Sequence, residues 1–184
     1  MNVPLKYCTS PLSPELNDYY HEYGHVRSFA RNTFLLKAGE VCRNIYFVES
    51  GLLRCFHRRG GKEISSWFAE EGGFCWSAES FLGQQPGTEF IQVVEDSIIC
   101  YFSYVGLQCI CQDFPQFGML EKTVTQKHLF TCQQRMQAMW MRQSPAKLDW
   151  FIRRYPGLLG KVQGKYIASF LGISEVMLSR LLHT

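Results

Sequence analysis

The sequence predicts an α+β fold: an antiparallel double-stranded β-helix, or jelly roll, followed by a long helix and a small C-terminal helical domain. Three observations carry this. Short apolar or alternating runs separated by glycines fill the first half of the chain. Residues 117–141 form a stretch with no proline and no glycine after Gly118. Near the C-terminal end, two short apolar patterns flank Gly172.

Taken in order, residues 14–29 (PELNDYYHEYGHVRSF) read as an N-terminal helix with aromatic residues on more than one side. After Arg31 and Asn32 the texture changes to TFLLKAGEV, NIYFVESG, LLRCFHRRGG and KEISSWFAEEGG. These runs have strand length, and Gly39, Gly51, Gly60-Gly61 and Gly72-Gly73 break them. FIQVVED and SIICYFS continue the strands to about Ser103, and a jelly roll is the economical way to assemble them.

From about Val105 the period lengthens. Residues 117–141 can run as one helix of six or more turns, with Leu120, Val124, Phe130, Met136 and Trp140 distributed around it. Such a helix can bury one face on the roll and offer another to a second copy of itself. Ser144-Pro145 opens a further helix, PAKLDWFIRRY, which Pro156 and Gly157 stop. The expected division is a roll with its N-terminal helix at 1–112, a long helix at 113–143 and a helical domain at 144–184.

Residues 165–184 read KYIASFLGISEVMLSRLLHT. Ile167, Leu171, Ile173, Leu178 and Leu181 are apolar positions that two helices share if the chain turns sharply at Gly172. Gly172 can take positive φ and close the first helix. Ser174 sits where an N-cap belongs, Glu175 places a negative charge in the first turn, and Ala168 permits close approach. This is the pattern of a helix-turn-helix. It leaves Ser174, Glu175, Val176, Ser179, Arg180 and His183 on the outer face of the second helix, where a DNA groove would meet them.

Charge supports a two-part chain. Residues 1–111 carry 9 Lys and Arg against 12 Asp and Glu, a net of −3, whereas residues 112–184 carry 10 against 4, a net of +6. A basic C-terminal part suits a phosphate-bearing partner. No apolar run reaches the length that spans a bilayer, and the first residues, MNVPLKYCTSPLSPEL, contain no signal-peptide core, so a soluble cytoplasmic protein is expected. The cysteines at 8, 42, 55, 75, 100, 109, 111 and 132 include no CxxC, and Cys109-Ile110-Cys111 is the tightest pair. Most lie in apolar runs, which favours buried, reduced thiols over disulfides or a metal cluster. The five histidines include no HxH, and only His57 lies in a predicted strand. With no Ser-His-Asp set and no phosphate-cradling glycine loop, the chain is not expected to be an enzyme and no metal site is expected.

This order of elements resembles the Crp/Fnr family of bacterial transcription regulators. FLLKAGEVCRNIYFVESGLLRCF is similar to the first half of a cyclic-nucleotide-binding roll, and KYIASFLGIS to the family's first DNA-binding helix and turn. The resemblance implies a homodimer formed through the helix around 117–141, and a second helix of each hairpin set into the major groove of palindromic duplex DNA. In nucleotide-binding members a Gly-Glu pair contacts the ribose, and an Arg followed by a small residue holds the cyclic phosphate. The matching segment here is WSAESFLGQQPGTEFIQVVED. Glu79 can stand for the ribose carboxylate, but Ala78 replaces the glycine and Thr88-Glu89 occupies the arginine region. Losing the charged partner of a phosphate weakens binding roughly a hundredfold.

Cyclic AMP is therefore not the expected cofactor, which leaves room for another small effector or none. The candidate pocket comprises Trp76, Glu79, Ser80, Thr88, Glu89 and Phe90, with Trp67, Phe74 and Phe81 as apolar lining or plain core. An Fnr-type iron–sulfur centre fails on the cysteine spacing, while His57 and His128 leave a haem ligand open. At the DNA-reading end, Arg180 is the candidate base or phosphate contact and Ser179 a phosphate contact. Val176 suits a thymine methyl, and Lys161 and Lys165 suit phosphates at the edge. No basic tail or wing follows the second helix in this sequence, and few cations imply modest affinity. A second reading stays open: a sensor or interaction protein that has lost sequence-specific DNA binding.

Overall fold

The roll is built around two long strands that the sequence pattern divides into four. In the computed structural model, which describes residues 22–183, Asn44–Arg59 is a single 16-residue strand, β3. Glu89–Ser103 is likewise one strand of 15 residues, β6. Gly51 bends β3 instead of ending it. Its φ is +100°, the pairing register shifts on both sides of it, and a Cβ there would stand 2.1 Å from the Ser97 hydroxyl oxygen. The Ser97 hydroxyl in turn accepts from the Leu52 N–H at 3.1 Å, so bent strand and partner stay stitched together.

The other strands are β1 (Gly24–Phe29), β2 (Phe34–Leu36), β4 (Lys62–Glu70) and β5 (Phe74–Cys75). The antiparallel order is β1-β6-β3-β4, with β2 also on β6 and β5 also on β3. Of the expected N-terminal helix over 14–29, Glu22 and Tyr23 are helical and the remainder, Gly24–Phe29, is corrected to a strand. Gly24–Phe29 pairs with β6 from Gly24↔Phe102 to Phe29↔Ser97, because the edge of β6 offers a ladder that outweighs local helix propensity. Residues 14–21 lie outside the described residues, as do Cys8 and His21.

The helices are α1 (Ala78–Gly83), α2 (Tyr104–Asp113), α3 (Pro115–Trp140), α4 (Ser144–Arg154), α5 (Gly164–Leu171) and α6 (Glu175–Leu182). Pro115 occupies the first turn of α3, where its missing N–H is harmless. Phe117, Leu120, Val124, Thr131 and Ala138 are the buried line of α3, recurring at helical spacing. Met119, Leu129, Phe130, Met136 and Trp140 remain exposed on the same helix.

Two cores result from the strict alternation of strand side chains. Leu53, Cys55, Ile91 and Val93 point inward and join Ile110, Phe117 and Leu120. Leu52, Phe68 and Val94 point outward and join Leu148, Phe151, Tyr155, Phe170 and Leu178 of the helical domain. The outward core docks α5 on β4. The Ser65 N–H donates to the Ser169 Oγ at 3.2 Å, and the two hydroxyl oxygens stand 3.1 Å apart. Arg135 of α3 donates to the Ser65 carbonyl at 2.9 Å and lies 4.5 Å above the Phe170 ring.

The centre of this docking surface is Arg54, which is wholly buried. Its guanidinium lies between the rings of Phe56 (4.0 Å) and Tyr166 (3.5 Å) and donates to Glu63 at 2.5 Å and Gln92 at 3.3 Å. Burial lowers the Arg54 pKa, and the bond to Glu63 opposes that. Burial by itself raises the Glu63 carboxyl, but its bonds to Arg54 and Arg58 outweigh this and hold it below its ordinary value.

Candidate ligand pocket and nucleic-acid interface

The interior of the roll, where β4 and β6 flank β3, holds a carboxylate. Between Cys55 and Phe56 the pairing with β4 slips, so that Cys55 faces Trp67 and Phe56 faces Ser65, leaving Ser66 as the extra residue. This bulge turns the Ser66 hydroxyl onto Glu89 Oε1 at 2.8 Å. Ser77 donates to Glu89 Oε2, also at 2.8 Å. Ser77 is the N-cap residue of α1, yet its side chain makes no cap bond, because Glu89 takes it.

The six sequence-predicted pocket residues do not share one wall. Trp76 is buried, and Glu89 points inward as described. Ser80 is also buried but has structural work: it accepts the Cys42 N–H at 2.9 Å and donates to the Gln85 carbonyl at 2.6 Å. Glu79 and Thr88 are exposed. Phe90, one residue on from Glu89, faces the other side of the sheet and stacks on Phe56 at 4.8 Å, with the Arg58 guanidinium 4.8 Å above it. The period of 2 separates Glu89 from Phe90, which grouping by sequence proximity overlooks.

The long helix completes the interior. His128 of α3 lies 4.3 Å from the ring of Trp67 and 4.5 Å from that of Trp76. Its Nε2 is 3.6 Å from the Cys132 Sγ, and burial lowers its pKa. Where a cyclic phosphate needs donors and a cation, the roll presents a carboxylate, with two indoles and an imidazole close by. These residues do not fit a cyclic nucleotide. Ser66, Ser77, Arg54 and Arg135 are structural participants that sequence reasoning missed. For Arg54 a signal existed, a lone cation inside the apolar run LLRCF. For the serines there was none, because they meet Glu89 only through folding.

Buried thiols crowd the same interior. Cys55 and Cys75 have their sulfurs 3.3 Å apart, and that contact together with burial raises the Cys55 pKa. Burial pushes Cys42 up to about 11. Cys42 and Cys55 are therefore protonated and weakly reactive at neutral pH.

At the C-terminal end, α5 and α6 meet at Gly172, whose φ is +64°. The Ile173 N–H reaches back to the Ala168 carbonyl at 3.1 Å, closing α5. The Ser174 hydroxyl accepts the Met177 N–H at 3.1 Å, which caps α6. Leu178 anchors α6 in the outward core, and Ala168 is buried at the contact. Glu175, Val176, Ser179, Arg180 and His183 are exposed, and with Lys165 they border one shallow groove. Lys161 is exposed but paired with Glu95 of the roll at 3.5 Å, away from that groove, because β6 and the α4–α5 loop meet there.

Residues 26–114 match the model of the cyclic nucleotide-binding domain family. Among solved structures, the chain is similar to a CooA mutant from Carboxydothermus hydrogenoformans at 19% identity and TM-score 0.73, over 100% of this chain and 83% of that one. It is similar to the c-di-GMP responsive global regulator CLP from Xanthomonas campestris at 17% identity and TM-score 0.70, over 93% and 90%. It is also similar to the catabolite activator protein of Thermus thermophilus at 21% identity and TM-score 0.59, over 98% and 85%. No curated protein sequence matches it. The architecture is thus that of the Crp/Fnr regulators, a cyclic nucleotide-binding-like roll carrying a helix-turn-helix. Among the described residues no helix is long and apolar enough to cross a membrane.

Proposed function

We propose that this protein is a homodimeric, DNA-binding transcription regulator of the Crp/Fnr type that does not respond to cyclic AMP. The observation that carries the reading is α6: capped by Ser174 and anchored by Leu178, it keeps Glu175, Val176, Ser179 and Arg180 exposed for a major groove. The exposed apolar residues of α3, Met119, Leu129, Phe130, Met136 and Trp140, support dimerisation along the helix around 117–141. Glu89, held by Ser66 and Ser77, supports the loss of cyclic AMP binding. In this reading the roll, long helix and helix-turn-helix divide near 112 and 143, and the protein works in the cytoplasm without a catalytic role.

The test is selection from random duplexes at low salt, repeated across a salt series. Enrichment of a palindrome with half-sites about 34 Å apart, weakened roughly tenfold or more by Arg180→Ala, is expected. One feature favours the alternative of a sensor without sequence-specific binding: Lys165 and Arg180 share their groove with Glu175, while Lys161 faces Glu95. Binding that is sequence-independent, or absent, would establish that alternative.

A further inference from the structure

The hairpin joining β3 to β4 reads RRGGKE over residues 58–63, three cations against one carboxylate. That carboxylate, Glu63, is already engaged by Arg54 and Arg58. Arg59 and Lys62 are exposed, and neither has an ion-pair partner among the described residues. They are also register partners across the hairpin, and like charges directly opposite each other weaken such a pair unless an anion joins them. Gly60 and Gly61 take φ of +57° and +75°, the left-handed pair that a two-residue turn requires. Apart from the adjoining residues, no described atom lies within 4 Å of where their Cβ atoms would stand, so the tip projects clear of the chain.

The contacts between β4 and α5 fix where this tip lies. Phe68 meets Phe170 with ring centroids 5.3 Å apart, and the Ser65 and Ser169 hydroxyl oxygens stand 3.1 Å apart. Glu63 meets Tyr166 through Arg54, whose guanidinium is 3.5 Å from the Tyr166 ring. Strand and helix therefore advance together, and residues 59–62 lie beyond the end of α5 that begins at Gly164. That end borders the groove of α6: Gln163, Gly164 and Lys165 line it together with Glu175, Ser179 and Arg180. The Lys165 Nζ is 5.0 Å from the Tyr166 ring, and Arg58 reaches Glu63 at 3.3 Å. One row of contacts thus runs from Lys165 through Tyr166, Arg54 and Glu63 to Arg58, which sets the hairpin charges alongside the reading groove.

We infer that the β3–β4 hairpin is a second DNA contact, in which Arg58, Arg59 and Lys62 bind backbone phosphates beside the stretch of duplex that α6 enters. This deepens the regulator reading and rests on it. Phosphate contacts position a protein and add affinity without reading sequence. The hairpin therefore offsets the thin charge of the reading helix, whose groove sets Lys165 and Arg180 against Glu175. A phosphate between Arg59 and Lys62 also relieves their mutual repulsion, which nothing within the chain does.

The experiment titrates the full chain onto a fluorescent mixed-sequence duplex of about 40 base pairs, read by anisotropy from about 50 to 200 mM salt. Arg59→Gln/Lys62→Gln breaks no ion pair, so its fold should persist by circular dichroism. It is expected to weaken binding about tenfold at ~150 mM salt and to lower the slope of log affinity against log salt by about 2 per protomer, since each phosphate contact contributes about 0.9. Adding Arg58→Gln should lower the slope by about one more. The palindrome enriched from random duplexes should stay the same in these variants. The control is Arg27→Gln/Arg43→Gln, which removes two exposed cations at the opposite ends of β6 and β3 and should leave the slope nearly unchanged. An unchanged slope in Arg59→Gln/Lys62→Gln, with the native chain binding duplex, overturns the hairpin contact and leaves the regulator reading standing. An equal loss in the control would mean general charge attraction, and a changed palindrome would mean base reading; either overturns the proposal. If the native chain binds no duplex at the lowest salt, the regulator reading itself fails and takes the hairpin contact with it.

Discussion

The two faces of the sheet formed by β6, β3 and β4 have opposite polar content. Inward, the roll holds a half-buried carboxylate, Glu89, satisfied by two neutral hydroxyls. Outward, it buries a cation, Arg54, clasped by Glu63, Gln92 and two aromatic rings. A nucleotide-binding roll needs its cation inside, facing a phosphate. Here the fully buried arginine faces the other way and holds the helix-turn-helix domain to the roll. The difference shows how a pleated sheet can place one charge toward its interior and another toward a docked domain by parity, since neighbouring residues of each strand face opposite sides.

Removing the outward charge should have the largest effect. Arg54→Ala removes the donor to Gln92 and to one of the two Glu63 oxygens, leaving Glu63 with Arg58 alone, and opens a cavity under Tyr166, and a loss of about 3 kcal/mol is expected in urea unfolding. Arg54→Met, which keeps bulk without charge, should restore most of that loss. If both variants lose equally, the ion pair matters more than the packing and the comparison must be redrawn. Inside the roll, Glu89→Ala strands the hydroxyls of Ser66 and Ser77, and should cost about 1–2 kcal/mol by the same measurement. It should not create cyclic AMP binding in calorimetry, because taking away an anion supplies no cation.

The smallest effect is in pH. Glu63 is held below its ordinary value by Arg54 and Arg58, so its contribution is present above the ordinary carboxylate value near 4.5 and is lost as pH falls through the lowered one. The stability advantage of the native chain over Glu63→Gln should therefore stay constant from neutral pH down to about pH 5 and shrink below about 4.5. A gap that is unchanged at pH 3 would mean that the carboxylate is not coupled to Arg54.

Much of the helical end was legible in the chain itself. Gly172, Ser174, Leu178 and Ala168 perform the roles their chemistry predicts, because capping and left-handed turns are decided within a few residues. The long helix was equally visible, since no breaker interrupts it. The roll was legible as a fold class but not in its strand count. Gly51 reads as a terminator and acts as a bend, because the hydroxyl of Ser97, 46 positions away, sits where its side chain would be. The strand over Gly24–Phe29 was misread for a similar reason, its partner being the distant β6.

The candidate site divides along the same line. By itself the sequence determined that a capped pair of helices turns at Gly172, while its resemblance to a nucleotide-binding roll implied Thr88-Glu89 in place of an arginine. Tertiary structure alone decided that Glu89 turns inward to Ser66 and Ser77 while Phe90 turns away, and that Lys161 answers Glu95. It also decided that His128 comes to rest between Trp67 and Trp76, with its Nδ1 unpartnered among the described residues. Local chemistry sets caps, turns and periodicity through bonds a few residues long. A pocket is made by side chains from distant strands and helices, whose meeting depends on register and packing of the whole chain.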